Sequence, residues 1–467
     1  AMAAQLTMAS LEVQPLAKSF ETFFMGAAGT AGGSYWISVI GETQAAPGTL
    51  LGTQLLALVV DTEANTYSVG KSEGATTPSS MGNAACIIKH DTDGAVVWNK
   101  DLYASASGTD RGTFTGVGLN SSDEPYVFGE GFFPNNNLMV VLKYNTSGAL
   151  QFMNGLSSVK GEFKGGGVSP AGNPYGVGYL SNVVDMMYHR FNSSGTVQQG
   201  CELNTDFGIA YDIDFDSSNN AYIYGRNRIS GSRNDLGIFK VNTGDTIQWG
   251  KAFSTNSGSG DVSSGENCVA VDNSSSVFCS GYESSDTRFN LLKLSQASGG
   301  VTWNKTVTIS GGTPTLHKAL AVDADGNVYA FGNTTNSSDS VDGATIAKFN
   351  TSGVLQWATR LTTTNGSEAT YAIDIKVDAN GDIRILIQSK IVLNADWSAI
   401  VAKLPSNGSR TGVYGDWTYA DVTNTLTVGT GNLSPNSVTT RNLNTPGYGS
   451  VGNVAGDLSL SLELVEL

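Results

Sequence analysis

Along most of the chain, short runs alternate apolar with polar residues and break at Asp-Gly or Ser-Gly turns. His317 to Leu361 shows the unit clearly: HKALAVDADGNVYAFGNT, a loop, then ATIAKFNTSGVLQWATRL. Alternation with period two gives a strand one apolar face. The stretch therefore predicts strand, Asp/Gly turn, strand, loop, strand, Ser-Gly turn and a fourth strand. Four such strands make one blade of a β-propeller.

Three markers count the copies. A Gly ends the second strand at Gly70, Gly129, Gly178, Gly225, Gly281 and Gly332, with Gln388 in the last copy. Three residues earlier stand Tyr67, Tyr126, Tyr175, Tyr222, Phe278 and Tyr329, with Ile385 last. A basic residue marks the third strand: Lys89, Lys143, Arg190, Lys240, Lys293, Lys348 and Lys403. An aromatic marks the fourth, at Trp98, Phe152, Trp249, Trp303 and Trp357, replaced by Gln199 and Gly412 in copies three and seven. Successive fourth-strand markers lie 47 to 55 residues apart, so length varies only in loops. No capping repeat of different composition is present, as a solenoid would need. The expected fold is all-β, a seven-bladed propeller of four-stranded blades with extended N- and C-terminal arms.

The seventh copy lacks its aromatic, and a ring must close. The strand 34–41, carrying Trp36, is expected to complete that blade, with Trp417 as the competing candidate. This divides the chain into an N-terminal arm (1–33), the propeller (34–415) and a C-terminal tail (416–467). The arm contains AKSFETFFMGA, which could be helical; the tail ends in DLSLSLELVEL, whose leucines at 458, 460, 462 and 464 alternate as in a half-buried strand. Both arms are expected to be held by neighbouring subunits.

The markers carry bland chemistry. Each first strand ends in Asp61, Asn120, Asp216, Asp272, Asp323 or Asp378, with Pro170 in copy three. Acid and base once per copy predict ion pairs tying the inner strand to the third. The tryptophans are expected to pack between blades. His90 occupies the slot of Tyr144 and Phe349 and reads as core; His189 and His317 lie in different blades.

Charged residues are 14% of the chain, while Gly numbers 57, a composition suited to hairpins. The net charge is -15, and no cluster of Lys or Arg occurs. Such a surface repels nucleic acid and anionic membranes. No apolar run reaches the ~18 residues of a membrane span, so no membrane insertion is expected. The N-terminus has no basic segment followed by an apolar stretch, so the expectation is either a leader already removed or no export by that route. Cys86, Cys201, Cys268 and Cys279 have no zinc-type spacing; Cys268 and Cys279 could face each other but read better as free thiols.

No catalytic, cofactor-binding or metal-ligating residue is expected. No Ser/His/Asp or Cys/His arrangement follows from the spacing. DTDG, DADGN and DANGD resemble the opening of a calcium loop but lack its distal Glu and read as β-turns. An enzyme would instead require acids, or a His with an acid, converging at one mouth of the channel.

VDADGNVYAFG followed by AKFNTSGVLQW resembles the SBBP-type β-propeller repeat of bacterial surface proteins and bacteriophage structural proteins, over residues 54 to about 410. The resemblance implies roles in adhesion and assembly, with no catalytic residues to carry over. NTLTVGTGNLSPNSVTTRNL is similar in composition to phage tail and fibre segments. The expectation is a non-enzymatic, virion or tail-associated protein mediating assembly or host attachment. Its partners would be other structural subunits through the arms, and a host surface receptor or glycan. The alternatives are an extracellular or cell-surface adhesin of a bacterium, or a propeller-scaffold lyase or glycosidase.

Overall fold

The structure, a computed structural model, describes residues 18–24, 35–42, 53–72, 84–102, 112–131, 138–156, 161–181, 185–203, 208–227, 235–255, 262–283, 288–309, 313–335, 343–364, 370–390, 397–409, 411–414, 417–431 and 433–437. Among them it is all-β, with one short 3-10 turn at Thr423–Thr425, and its strands take a β-propeller arrangement. Each repeat folds in the order its alternation predicts. The first strands, Thr53–Val60, Gly112–Leu119, Gly161–Val168, Ile209–Phe215, Val262–Val271, Thr313–Val322 and Thr370–Val377, pack each on the next around a central channel, and the last returns to the first. Hydrogen bonding groups the strands into six sheets, because the fifth and sixth repeats share a single parallel bridge, Asn267 to Ala319.

The apolar clusters explain why this arrangement is a ring. They lie between neighbouring repeats. Tyr67, Val69 and Ile87 of the first pack on Phe114 and Val127 of the second. Similar clusters follow from repeat to repeat, and the last joins Leu386 and Val401 of the seventh to Leu55 and Ile88 of the first.

Each sequence marker has a physical cause. The Gly ending the second strand sits opposite a β-bulge in the first, where pairing shifts between Leu55 and Ala57, Phe114 and Gly116, Phe163 and Gly165, or Ala210 and Asp212. A Cβ there would strike the carbonyl of Gln54, Thr113, Glu162 or Ile209. The tyrosine and the basic residue are directly paired across strands, as Tyr67 with Lys89 and Tyr329 with Lys348, each ammonium 4.8 Å from its ring centroid. Those lysines also reach the acid ending the first strand: Lys89 to Asp61 at 3.6 Å, Lys240 to Asp216 at 3.7 Å, and Lys348 to Asp323 at 3.2 Å.

The other copies vary the theme. Lys143 pairs with Glu124 at 2.6 Å because Asn120 carries no charge, and Lys293 donates to the Thr351 carbonyl. In the third repeat the turn is anchored by Ser169 rather than Pro170, and Arg190 turns to Asp245 of the fourth. In the seventh, the register moves the expected slots by one: Arg384 stands opposite Lys403, where Ile385 was expected, and Ile387 faces the bulge in place of Gln388. Arg384 is fully buried against Asp378 at 3.1 Å, so Lys403 takes Asp382.

The fourth-strand aromatic latches one repeat to the next. The indole N–H of Trp98 donates to Thr146 O, and that of Trp303 to Thr351 O, each at 3.0 Å in the following repeat's second turn. Beneath each ring lies that turn's glycine in the left-handed region, Gly148 (φ 84°) or Gly353 (φ 74°). Only a residue without a side chain leaves the ring room. Where Gln199 replaces the aromatic, the next turn carries Asp245 at the left-handed position.

Trp36 closes the series. The strand Trp36–Glu42 pairs with Trp397–Leu404, Trp36 opposite Lys403, and its indole donates to Thr92 O of the first repeat over Gly94. Trp417, the competing candidate, belongs to a strand on the edge of the sixth repeat. The other described arm segments are edge strands. Lys18–Phe24 is a strand against Trp36–Glu42, not a helix. Trp417–Asp421, Leu426–Thr430 and Leu433–Ser437 add edge strands to the sixth, fifth and fourth repeats. Leucines 458 to 464 lie outside the described residues.

Two predictions follow from this packing. Gly148→Ala and Gly172→Ala both force a side chain into the left-handed region, costing about 1–2 kcal/mol, but Gly172 has open space while a methyl at Gly148 would stand 2.8 Å from Trp98 Cδ2. Urea unfolding should show the Gly148 variant less stable than the Gly172 variant; equal losses would mean that the indole does not rest on the turn. His90 is fully buried, stacks on Trp36, and burial lowers its pKa to about 4. Its unfolded pKa is higher, so the stability of the neutral form is complete above about pH 6.5 and is lost as pH falls toward 4. His90→Phe should therefore gain about 2 kcal/mol relative to the parent on going from pH 7.5 to pH 5, read from unfolding curves at both pH values.

Candidate functional site at the channel

The first strands line a cavity of about 590 Å³ that extends to the turns after them, at Asp61, Asp123 and Asp378. Two of these strands, GTFTGVGL and GEFKGGGV, are rich in glycine, and there the walls touch: a Cβ on Gly116 would strike the backbone of Gly166. On the other side Asn267 reaches across from the fifth repeat, donating to Leu56 O at 3.2 Å and Ile373 O at 3.3 Å.

Charge in this cavity comes from polar positions at period two. YDIDF places Asp212 and Asp214 on one face of a strand, and AIDIKV does the same with Asp374 and Lys376. Each carboxylate holds the next repeat's first strand by a backbone N–H: Asp212 accepts from Val269 at 2.9 Å, Asp214 from Val271 at 2.7 Å, and Asp374 from Leu58 at 2.8 Å. Lys376 contacts Asp374 at 3.1 Å. Burial pushes Asp212 up to about 7, against the pull of Lys376 and the Val269 N–H. Burial likewise takes Asp214 to about 6, against its two N–H bonds. For Lys376, burial alone would lower the pKa, but Asp374, Asp212 and Asp214 raise it.

A second cluster forms where the second and third repeats meet, at the opposite ends of their strands. Glu130 ends its strand, Glu162 and Lys164 begin the next repeat, and Tyr179 stands opposite Glu162. Lys164 lies 2.5 Å from Glu162 and 3.8 Å from Glu130. Burial, opposed by Lys164 and reinforced by Glu162, raises Glu130 to about 7. Against burial, Lys164 holds Glu162 low. Of the two carboxyls only Glu130 is poised near neutral pH, while Glu162 stays ionised beside Lys164.

None of these acids was singled out from the sequence. Their signal was present as Asp at alternate positions of apolar strands, but their convergence depends on repeats far apart in the chain. The turn acids of DTDG, DADGN and DANGD bond their own turns: Asp91 accepts from Asp93 and Ala95, Asp323 from Asp325 and Asn327, Asp378 from Asn380 and Asp382. Among the described residues no group of three or more His, Cys, Asp or Glu is disposed to hold a metal. Cys268 and Cys279 are buried and are not joined in a disulfide. His189 is buried beside Met187, and the side chain of His317 lies outside the described residues.

No protein-family model and no curated protein matches the sequence. Solved structures of similar shape include hydrazine synthase of Kuenenia stuttgartiensis (11% identity, 70% of this chain and 96% of that one, TM-score 0.43). Others are a polysaccharide lyase (9%, 75% and 89%, 0.49) and an exo-β-1,3-galactanase from Clostridium thermocellum (11%, 77% and 83%, 0.32). The expectation of a non-enzymatic protein is corrected here, because the similar structures are mainly enzymes, a sialidase of Trypanosoma rangeli among them. Their likeness at these identities concerns the fold alone.

Asp374→Ala would strand the Leu58 N–H and leave Lys376 without its nearest carboxylate. The expected loss is about 2–4 kcal/mol in urea unfolding; a change within error would mean that this carboxylate does not hold the seventh repeat to the first.

Proposed function

We propose that the chain is a seven-bladed propeller serving as an assembly and attachment module, set in a bacteriophage virion or its tail. The blade count is supported by first strands that follow one another in a closed order and by apolar clusters that each join two neighbouring repeats. The fifth and sixth repeats count as two blades, since one bridge pair alone connects them.

The observation that carries the assembly reading is the use of the terminal segments. Lys18–Phe24 and the strands from Trp417 to Ser437 cover the outer edges of the seventh, sixth, fifth and fourth repeats. Among the described residues, the outer strands Val96–Leu102, Leu150–Leu156 and Val197–Glu202 pair with nothing beyond them. An uncovered strand edge is a template for another chain. The ring thus has one half sealed by its own arms and one half open to partners. The virion setting rests on the repeat's resemblance and on the Asn/Thr/Gly-rich tail, and the alternative is a bacterial surface.

Antibody raised against the recombinant ring should label gradient-purified particles from the source culture in immunogold electron microscopy. Label confined to cell envelopes would favour the surface adhesin, and label in the free protein fraction alone would contradict both settings.

A further inference from the structure

Each first strand carries a β-bulge, and the bulged residue is released from the pairing ladder. In the first and seventh repeats that residue is apolar, Leu56 or Ile373. In the second it is Thr115, whose hydroxyl donates to Phe163 O at 2.7 Å. The bulge itself therefore asks for no charge. The next three repeats nevertheless place Lys164, Tyr211 and Glu266 there in succession, the last within the longer shift from Ser264 to Val269. A bulge re-aims a side chain and is frequent beside active sites.

Residues that follow the marker glycines stand next to these. Lys164 lies 3.8 Å from Glu130 and 5.9 Å from the centre of the Tyr179 ring. Tyr211 is within electrostatic reach of Lys164, Arg226 and Glu266. All of these side chains are half-buried or exposed, so solvent reaches them. Within the sector Glu130 Oε2 is shielded from water and has no hydrogen-bond partner. An acceptor left in that state is costly unless a ligand meets it.

The charges narrow the ligand. Burial favours a proton on Glu130, and then the carboxylates of Glu162 and Glu266 are balanced by Lys164 and Arg226. An anionic ligand would meet the two carboxylates and a cationic one the two bases. A neutral ligand that both donates and accepts hydrogen bonds meets neither penalty.

We propose that this sector, at the first-strand bulges of the third to fifth repeats, binds a neutral carbohydrate. Sugar hydroxyls donate and accept at once, so one sugar can bridge the Glu162 carboxylate and the Lys164 ammonium and satisfy Glu130. The Tyr179 and Tyr211 rings offer half-buried faces to its C–H side. This gives the attachment reading above a ligand class and rests on that reading for its setting alone.

The test applies the full-length protein to immobilised neutral, sialylated and sulfated oligosaccharides, followed by titration of the neutral probe that is retained best. Neutral probes should be retained over acidic ones. Glu162→Gln and Tyr211→Ala should each weaken binding at least tenfold with unchanged melting, while Val97→Thr, at an exposed position of an outer strand, should bind as the parent does. Should either site variant fold poorly, Glu266→Gln reports from an exposed position of the same sector. Retention of no neutral probe, acidic probes bound as tightly as neutral ones, or binding unchanged in the folded site variants would each overturn the carbohydrate site. Because binding is read on the isolated chain, it stands or falls separately from the labelling of particles.

Discussion

The whole ring depends on an aromatic side chain of one repeat lying on a glycine turn of the next. The indole covers a turn whose left-handed glycine has no side chain to displace the ring, and its N–H satisfies a carbonyl of that turn, so packing and hydrogen bonding fix the same geometry. Truncating a packed Trp typically costs about 3–5 kcal/mol, comparable with the net stability of a domain. The chain itself shows the coupling of the two partners. At the one junction where the aromatic becomes Gln199, the glycine becomes Asp245, and an Arg190–Asp245 ion pair at 2.5 Å replaces the contact.

This latch also explains the order of the sequence. The seventh repeat ends without an aromatic, and Trp36, the earliest strand of the ring, completes it and lies over Gly94 of the first. Closure therefore joins segments more than 350 positions apart, Trp36 and Lys403, and is reinforced inside by the Asp374 carboxylate on the Leu58 N–H. The first strands also carry the acids that line the channel. Scaffold and candidate chemistry share those strands, with Asp212 and Asp214 both holding a neighbour and standing near neutral pKa.

Much of the fold was legible because its signals are local and repeated. A Gly-bearing turn, a basic residue on the third strand and an aromatic on the fourth recur at fixed offsets, and even the closing role of Trp36 follows from a missing partner. Legibility ended where a single copy departs from the rest. Arg384 replaces the tyrosine one position before Ile385, and nothing in the local pattern reveals the shift, which appears only in its pairing with Lys403. SFETFF offers too few residues to separate helix from strand, and its partner strand decides. The five-residue edge strands of the tail have no period of their own. The Asp212, Asp214 and Asp374 cluster needed the ring itself, since it unites the fourth repeat with the seventh.

Trp36 closes the ring by latching the seventh repeat to the first. Hydrogen exchange read by mass spectrometry on Trp36→Ala tests it most directly. Protection should fall together in Trp397–Leu404 and in Ala84–His90, which lie on the two sides of the closure, while Leu138–Tyr144 and Asp235–Val241 keep theirs. Faster exchange confined to residues 36–42, with the first repeat unchanged, would contradict it.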